Sequence, residues 1–521
     1  MDGPFALATL GRRGLLTPGR PMRMARQLAE TRRWGLGFGG TLRAAAARDP
    51  DRVALVDEST VRTYAQLLAD AEQLAAGLRA QAAPDAQAGD RIGLLCRNHA
   101  GLVLALAACA LLGVDPVLLN TGMSAPQLAR VGAGQRLRAI IFDSEFREQA
   151  TVLPEHLERV DESMMDDLIR HSARGPLDPA GRDGHTIVLT SGTNGTPKGT
   201  RRPDPAGVVP FAGVIARIPL RVHERVMVST PVFHSLGLSA VHTAFAVRGT
   251  AVLQRRFEPV STMDMLAEQD CTALFAVPTM LQRMLAAPAR VPPGLRVVVV
   301  SGSVLPGGLA GRFMDVYGDV LYNLYGSTEA ATISIATPSE IRRAPGTAGR
   351  PPRGTRVAIL GPDRKPVRAG RTGRIVVASE TVVDGYTTGR PPEMYGGMLD
   401  TGDLGHVGED GLLFVDGRAD DMIVSGGENV FPGQVENLLA ALPQVQEVAV
   451  VGAPDPEFGQ RLVACIALHP GERLDVEAVR DHVRRNLARH EVPSEVRFLD
   501  ALPRNATGKV VRGLLQGERP D

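Results

Sequence analysis

The chain has 521 residues, with 58 Lys+Arg against 57 Asp+Glu and a formal net charge of +1 at pH 7. That length exceeds one ordinary domain and holds a large core plus a smaller second unit. The charge balance supplies no global field to recruit nucleic acid or an anionic membrane, so any ligand is recognised locally. The four cysteines, Cys96, Cys109, Cys271 and Cys465, are far apart in apolar settings, which indicates neither a disulfide framework nor a zinc site.

The first forty residues carry Arg12, Arg13, Arg20, Arg23, Arg26, Arg32 and Arg33 with little acidic counterweight and no apolar signal-peptide core. Residues 22–34 have the pattern of a basic amphipathic helix suited to peripheral contact with a membrane surface; the plainer reading is a solvated extension. From Thr41 onward, helical patterns such as residues 64–80 alternate with β-rich runs at residues 91–95, 139–142 and 296–300, which predicts an α/β fold with largely parallel sheets. The most hydrophobic run, residues 101–114, is interrupted by Asp115-Pro116 short of bilayer length and predicts a buried helix followed by a strand. The protein is therefore read as soluble and cytoplasmic. Residues 346–377 change to Gly/Pro turns between short alternating strands, which predicts a small antiparallel, barrel-like subdomain. A separate α+β domain is predicted from near Asp421, with a helix over residues 432–442 and a buried strand over residues 445–451.

The apolar run Ile187-Val188-Leu189 leads into Thr190-Ser191-Gly192-Thr193-Asn194-Gly195-Thr196-Pro197-Lys198-Gly199. Its glycines let backbone N–H groups approach phosphate oxygens, the hydroxyls donate, and the lysine neutralises, so the segment predicts a polyphosphate-binding loop. It is not a Walker A loop, because Pro197 and Gly199 flank the lysine where that motif needs glycine and Ser/Thr. Four further segments follow: Tyr325-Gly326-Ser327-Thr328-Glu329, Asp400-Thr401-Gly402-Asp403, Gly417-Arg418-Ala419-Asp420-Asp421 and Pro503-Arg504-Asn505-Ala506-Thr507-Gly508-Lys509. Taken together the five resemble the adenylate-forming superfamily of acyl-CoA synthetases, peptide-synthetase adenylation domains and firefly-type luciferases, over residues 41–512.

The resemblance implies an extension (residues 1–40), a large α/β adenylation domain carrying the barrel-like subdomain (41–417), a hinge (418–422) and a small mobile α+β domain (423–521). It also implies a reaction in which a carboxylic acid attacks the α-phosphate of ATP, pyrophosphate leaves, and a thiol takes the acyl group from the adenylate. A carboxylate approaching a polyanion needs positive charge and alignment more than a general base. Lys198, Thr190, Ser191, Gly192 and Thr193 would hold the leaving pyrophosphate, Glu329 the Mg²⁺, and Lys509 the reacting oxygens. Asp403 would accept from the ribose hydroxyls and Arg418 reach ribose or phosphate. Ser301, Gly302, Tyr325 and Gly326 would flank the adenine and Thr328 contact the adenylate phosphate, while the small Gly326 and Ser327 would leave room in the acid pocket for an alkyl tail. Asp420 matches the pivot between the two reactions, and Gly426-Gly427 the loop along the pantetheine path.

Thr230-Pro231-Val232-Phe233-His234-Ser235-Leu236-Gly237-Leu238 resembles the acid-gating motif and makes His234 the gate candidate. Beyond it, Leu236, Leu238, Ala240 and the Ala244-Phe245-Ala246-Val247 run offer apolar walls without an arginine for a second carboxylate. Medium- to long-chain fatty acids lead, with aryl or cinnamoyl acids as the alternative. CoA is the expected acceptor and an acyl carrier protein the alternative; a non-catalytic binder would not need the full set Lys198, Glu329, Asp403, Arg418 and Lys509. The chain departs from the family pattern at Asn194, where threonine is frequent, and at His490-Glu491, where a Tyr-Lys pair is common.

Overall fold

Short continuous runs of Val, Ile, Leu and Ala form strands covered on both faces, as parallel strands require. Val297–Val300, Ala273–Ala276 and Thr250–Leu253 are buried along their whole lengths. They belong to an eight-stranded sheet running Ala331–Ala336, Leu321–Ser327, Val297–Val300, Ala273–Ala276, Arg225–Val228, Thr250–Leu253, Val53–Val56 and Val61–Thr63, antiparallel only at its two edges. In the computed structural model, residues 2–82, 87–172, 184–190, 198–201, 207–288, 290–389, 391–425, 428–456, 459–504 and 510–516 are described.

A second, seven-stranded sheet places Ile187–Thr190 beside Asp115–Leu118 and ends in the antiparallel pair Lys198–Arg201 and Gly385–Tyr386. The predicted buried helix is Ala100–Leu112, which has no exposed face and passes through Gly113 (φ 70°) into the strand Asp115–Leu118. His99 caps it, accepting from Gly101 N at 3.2 Å, and its other ring nitrogen meets Asp143 at 2.7 Å. One apolar cluster joins this helix to residues of both sheets, including Leu94, Leu118, Val226 and Leu253. No helix among the described residues is long and apolar enough to cross a membrane.

The small antiparallel subdomain is a five-stranded sheet in which Arg356–Leu360, Gly373–Ala378, Met398–Val407 and Met394–Tyr395 pair in turn and Leu413–Arg418 adds to Met398–Val407. After it comes a sheet of its own: Val445–Asp455 pairs with Gly459–Leu468, backed by the helices Pro432–Ala440 and Val476–Asn486. All four thiols are buried, and burial pushes Cys109 and Cys271 up to about 12.

The arginine-rich segment ahead of Thr41 is neither a solvated extension nor a free surface helix. It forms the helices Asp2–Arg12 and Pro21–Trp34, whose inner faces bury Ala6, Leu10 and Trp34 against the large body. The Arg43 guanidinium stacks 4.1 Å above Trp34 and pairs with Glu72, while Arg13 Nε donates to Ile215 O at 2.9 Å. The outer face of Pro21–Trp34 leaves Met22 and Leu28 exposed among arginines.

Candidate active site

The phosphate-loop residues sit at the mouth of a hairpin. Ile187–Thr190 and Lys198–Arg201 pair antiparallel with Thr190 opposite Lys198, and Thr190 Oγ1 donates to Lys198 O at 3.3 Å. Ser191, Gly192 and Thr193 lie outside the described residues. The strand Gly385–Tyr386 adds to the hairpin and brings Tyr386 beneath Lys198, with Nζ 5.5 Å from the ring. The Tyr386 hydroxyl donates to Glu329 Oε1 at 3.3 Å; burial, then the Glu329 carboxylate, pushes this phenol up to about 12, so it stays a donor. The sequence singled out Lys198 and Glu329, and a tyrosine from a distant strand joins them.

Thr328 and Glu329 stand on the turn between Leu321–Ser327 and Ala331–Ala336. A Cβ on Gly326 would fall 2.0 Å from Ala331 O, so this turn closes only with glycine there. Ser327 Oγ accepts from Ala330 N at 3.0 Å, and Thr328 Oγ1 lies 3.4 Å from Ser235 Oγ at the start of the helix Ser235–Ala246. Ser301 is buried, and Gly302 takes a φ of 93° directly after Val297–Val300. Both line the same cavity as Tyr325, Gly326, Ser327, Thr328 and Glu329.

Asp403 and Arg418 face each other across paired strands. Arg418 Nη1 reaches Asp403 Oδ1 at 3.3 Å and Thr401 O at 3.1 Å, while its Nε donates to Asp420 Oδ1 at 3.1 Å. The Tyr325 hydroxyl donates to Asp403 Oδ2 at 2.5 Å. Burial raises the Asp403 carboxyl above its ordinary value, against the opposing pull of Tyr325 and Arg418. Burial and then Asp403 hold the Tyr325 phenol far above its own. Thus the two residues assigned to ribose and to adenine are hydrogen-bonded to each other.

His234 occupies the position before the helix Ser235–Ala246, its ring 4.5 Å from that of Phe233, and lines the cavity. The approach to it is pinned by Asn98, which donates to Thr230 O at 2.8 Å and accepts from Val232 N at 2.8 Å. Nothing local in the sequence marks Asn98, which acts from 134 residues away. Gly426, Gly427 and Lys509 lie outside the described residues; the bridge between Arg504 and Val510 brackets the last, and both bracketing residues line the cavity. Glu491, where the family pattern has lysine, is buried and caps Ala488 N at 2.8 Å.

The cavity measures about 2120 Å³ and is continuous from the adenylate loops to the first helices of the chain. Beyond His234 its apolar walls are Phe211, Val214, Leu220, Leu236 and Phe245. An arginine does line that side, against the sequence expectation: Arg248, buried, with Nε 2.8 Å from Asp49 Oδ2 and Nη1 3.2 Å from Leu15 O.

This set, a hydroxyl- and lysine-bearing hairpin, an acidic turn and an Asp–Arg pair at a domain junction, defines a nucleotide-dependent acid-activating enzyme. The family model for AMP-binding enzymes matches residues 42–387, and that for the AMP-binding enzyme C-terminal domain matches residues 434–509. The chain is 33% identical over 501 residues to a feruloyl-CoA synthase of Amycolatopsis sp, covering 92% of this chain and 98% of that one. Among solved structures, it superposes on o-succinylbenzoate CoA synthetase from Bacillus subtilis bound to its acyl-adenylate with a TM-score of 0.82, at 30% identity over 92% and 98% of the two chains. The same enzyme with ATP and a magnesium ion gives 0.80 at 30% identity over 91% and 98%. The chain belongs to the AMP-binding enzyme family, the adenylate-forming superfamily of acyl-CoA synthetases. It is an AMP-forming acid–thiol ligase, with ATP and CoA as its co-substrates and Mg²⁺ as its cofactor.

Proposed function

We propose that the enzyme activates a medium- to long-chain fatty acid and passes the acyl group to CoA. The observation that carries this reading is the set of apolar walls Phe211, Val214, Leu220, Leu236 and Phe245 beyond His234, against which an alkyl tail leaves water at about 25 cal/mol per Å² of apolar surface. Arg248 offers a second carboxylate little there, because Asp49 already matches its charge.

The acid's carboxylate attacks the α-phosphate and pyrophosphate leaves; the CoA thiol then attacks the acyl carbonyl and AMP leaves. Thr190 and Lys198, with Ser191, Gly192 and Thr193, hold the departing phosphates. Glu329 offers a hard carboxylate oxygen that would hold Mg²⁺, and the ion would supply charge to neutralise the phosphates. Tyr386 orients Glu329 through its hydroxyl. Thr328 donates to the α-phosphate, steadied by Ser235. Asp403 exchanges its bonds from Tyr325 and Arg418 for the ribose hydroxyls, and Ser301, Gly302, Tyr325 and Gly326 flank the adenine. Lys509 neutralises the reacting oxygens. Rotation about Asp420 then replaces that lysine with the thiol path beside Gly426 and Gly427, while His234 gates the acid.

The test supplies ATP, Mg²⁺ and CoA with alkyl acids of six to eighteen carbons, cinnamic acid and benzoic acid, and reads products by mass spectrometry. Alkyl-CoA products are expected; thioesters of the aromatic acids alone would overturn the reading. The aryl alternative is favoured by the feruloyl-CoA synthase relative. Acyl-adenylate without thioester would mark a carrier protein as the acceptor.

A further inference from the structure

Part of the cavity wall is built by residues that precede the family match at residue 42. Leu10, Leu15, Gln27, Thr31, Leu36 and Thr41 all line it. Facing them, Ser235, Ser239, His242, Thr243 and Ala246 line it at spacings of four, seven, eight and eleven, which is one face of the helix Ser235–Ala246. That face starts at Ser235, beside Thr328 at 3.4 Å, and ends next to Arg248, whose Nη1 donates to Leu15 O at 3.2 Å. Over eleven residues the helix rises ~16 Å. An extended chain advances roughly 1.2 Å per bond, so this length accommodates about a dozen methylenes.

The N-terminal wall is fastened rather than draped. Thr41 Oγ1 meets His242 Nε2 at 3.0 Å, Val222 N donates to Arg13 O at 2.8 Å, and Arg48 Nη2 donates to Thr17 O at 2.8 Å. On the helix Pro21–Trp34, Arg23, Gln27, Glu30, Thr31 and Trp34 make up the face turned to the body, and Gln27 and Thr31 reach the cavity from it.

We propose that residues 10–41 form the end wall of the acid site and set the longest acyl chain it accepts. This rests on the alkyl-acid reading above. An acid short of the wall ignores it; one long enough to reach it depends on the space beside Gln27 and Thr31.

The test measures kcat/KM across saturated acids of six to sixteen carbons for the full-length enzyme and for Thr31→Trp and Gln27→Trp, two substitutions on one helix face that fill the cavity independently. The tetradecanoate-to-hexanoate ratio is expected to fall about tenfold or more, the cost of leaving two or three methylenes unburied. A ratio within about twofold of wild type in both variants overturns the end wall, because loss of overall activity lowers both acids together. If the wild-type enzyme itself rejects every alkyl acid, the alkyl-acid reading fails and the end wall with it; long-chain activity whose profile neither variant shifts removes the end wall alone.

Discussion

The acid side of the cavity and the junction with the C-terminal domain are built from opposite materials. The acid side rests on apolar core: Phe245 is fully buried, its ring 5.7 Å from that of Phe38 and 5.9 Å from that of Tyr64, and the helix bearing it packs on Phe38–Arg48. The junction is polar and partly exposed. Arg418 is shared between Asp403 and Asp420, and Gln282 Nε2 donates to Gln446 O at 2.5 Å across it. Close-packed apolar contacts lose energy steeply with any gap, so they hold a cavity's dimensions. An exposed ion pair such as Arg418–Asp420 contributes only ~0–1 kcal/mol and exchanges partners at little cost, which suits a junction proposed to part and re-form about Asp420.

Three substitutions break that contrast in graded steps. Phe245→Ala is expected to cost about 3–5 kcal/mol of stability, because the cavity it leaves cannot collapse within so buried a cluster. Denaturant unfolding reads this, and a loss under about 1 kcal/mol would show that the acid wall is not rigid core. Glu329→Gln keeps the shape of the turn but removes the charge, and acyl-adenylate formation should fall on the order of a hundredfold with stability unchanged. Single-turnover pyrophosphate release checks it, with partial recovery expected at high Mg²⁺. Asp420→Pro stiffens the pivot and should slow thioester formation about tenfold while sparing pyrophosphate release. Equal loss of both half-reactions would place Asp420 in the chemistry rather than in the hinge.

The five loop segments were legible before any fold was known, because each carries its chemistry within a few residues of chain. Thr190 and Lys198, and Asp403 and Arg418, then meet through simple antiparallel pairing. Tyr325 is the mixed case: sequence reasoning placed it beside the nucleotide, and the structure adds that its hydroxyl occupies Asp403. Arg248 ran against expectation, since an arginine does border the acid side, and its pairing with Asp49 is formed over 199 residues of sequence.

The sequence by itself determined the α/β character, the buried helix Ala100–Leu112 and the loop segments that carry the family resemblance, because apolar periodicity, turn glycines and short motifs act over a few residues. Only the tertiary structure decided how the cavity is walled. Tyr386 reaches Glu329 from a strand 57 residues away, Asn98 pins the approach to His234 from 134, and the arginine-rich first helices turn an inner face to the cavity. Those contacts are set by which surfaces bury one another, a choice made by packing the whole chain at once, so no local pattern records it.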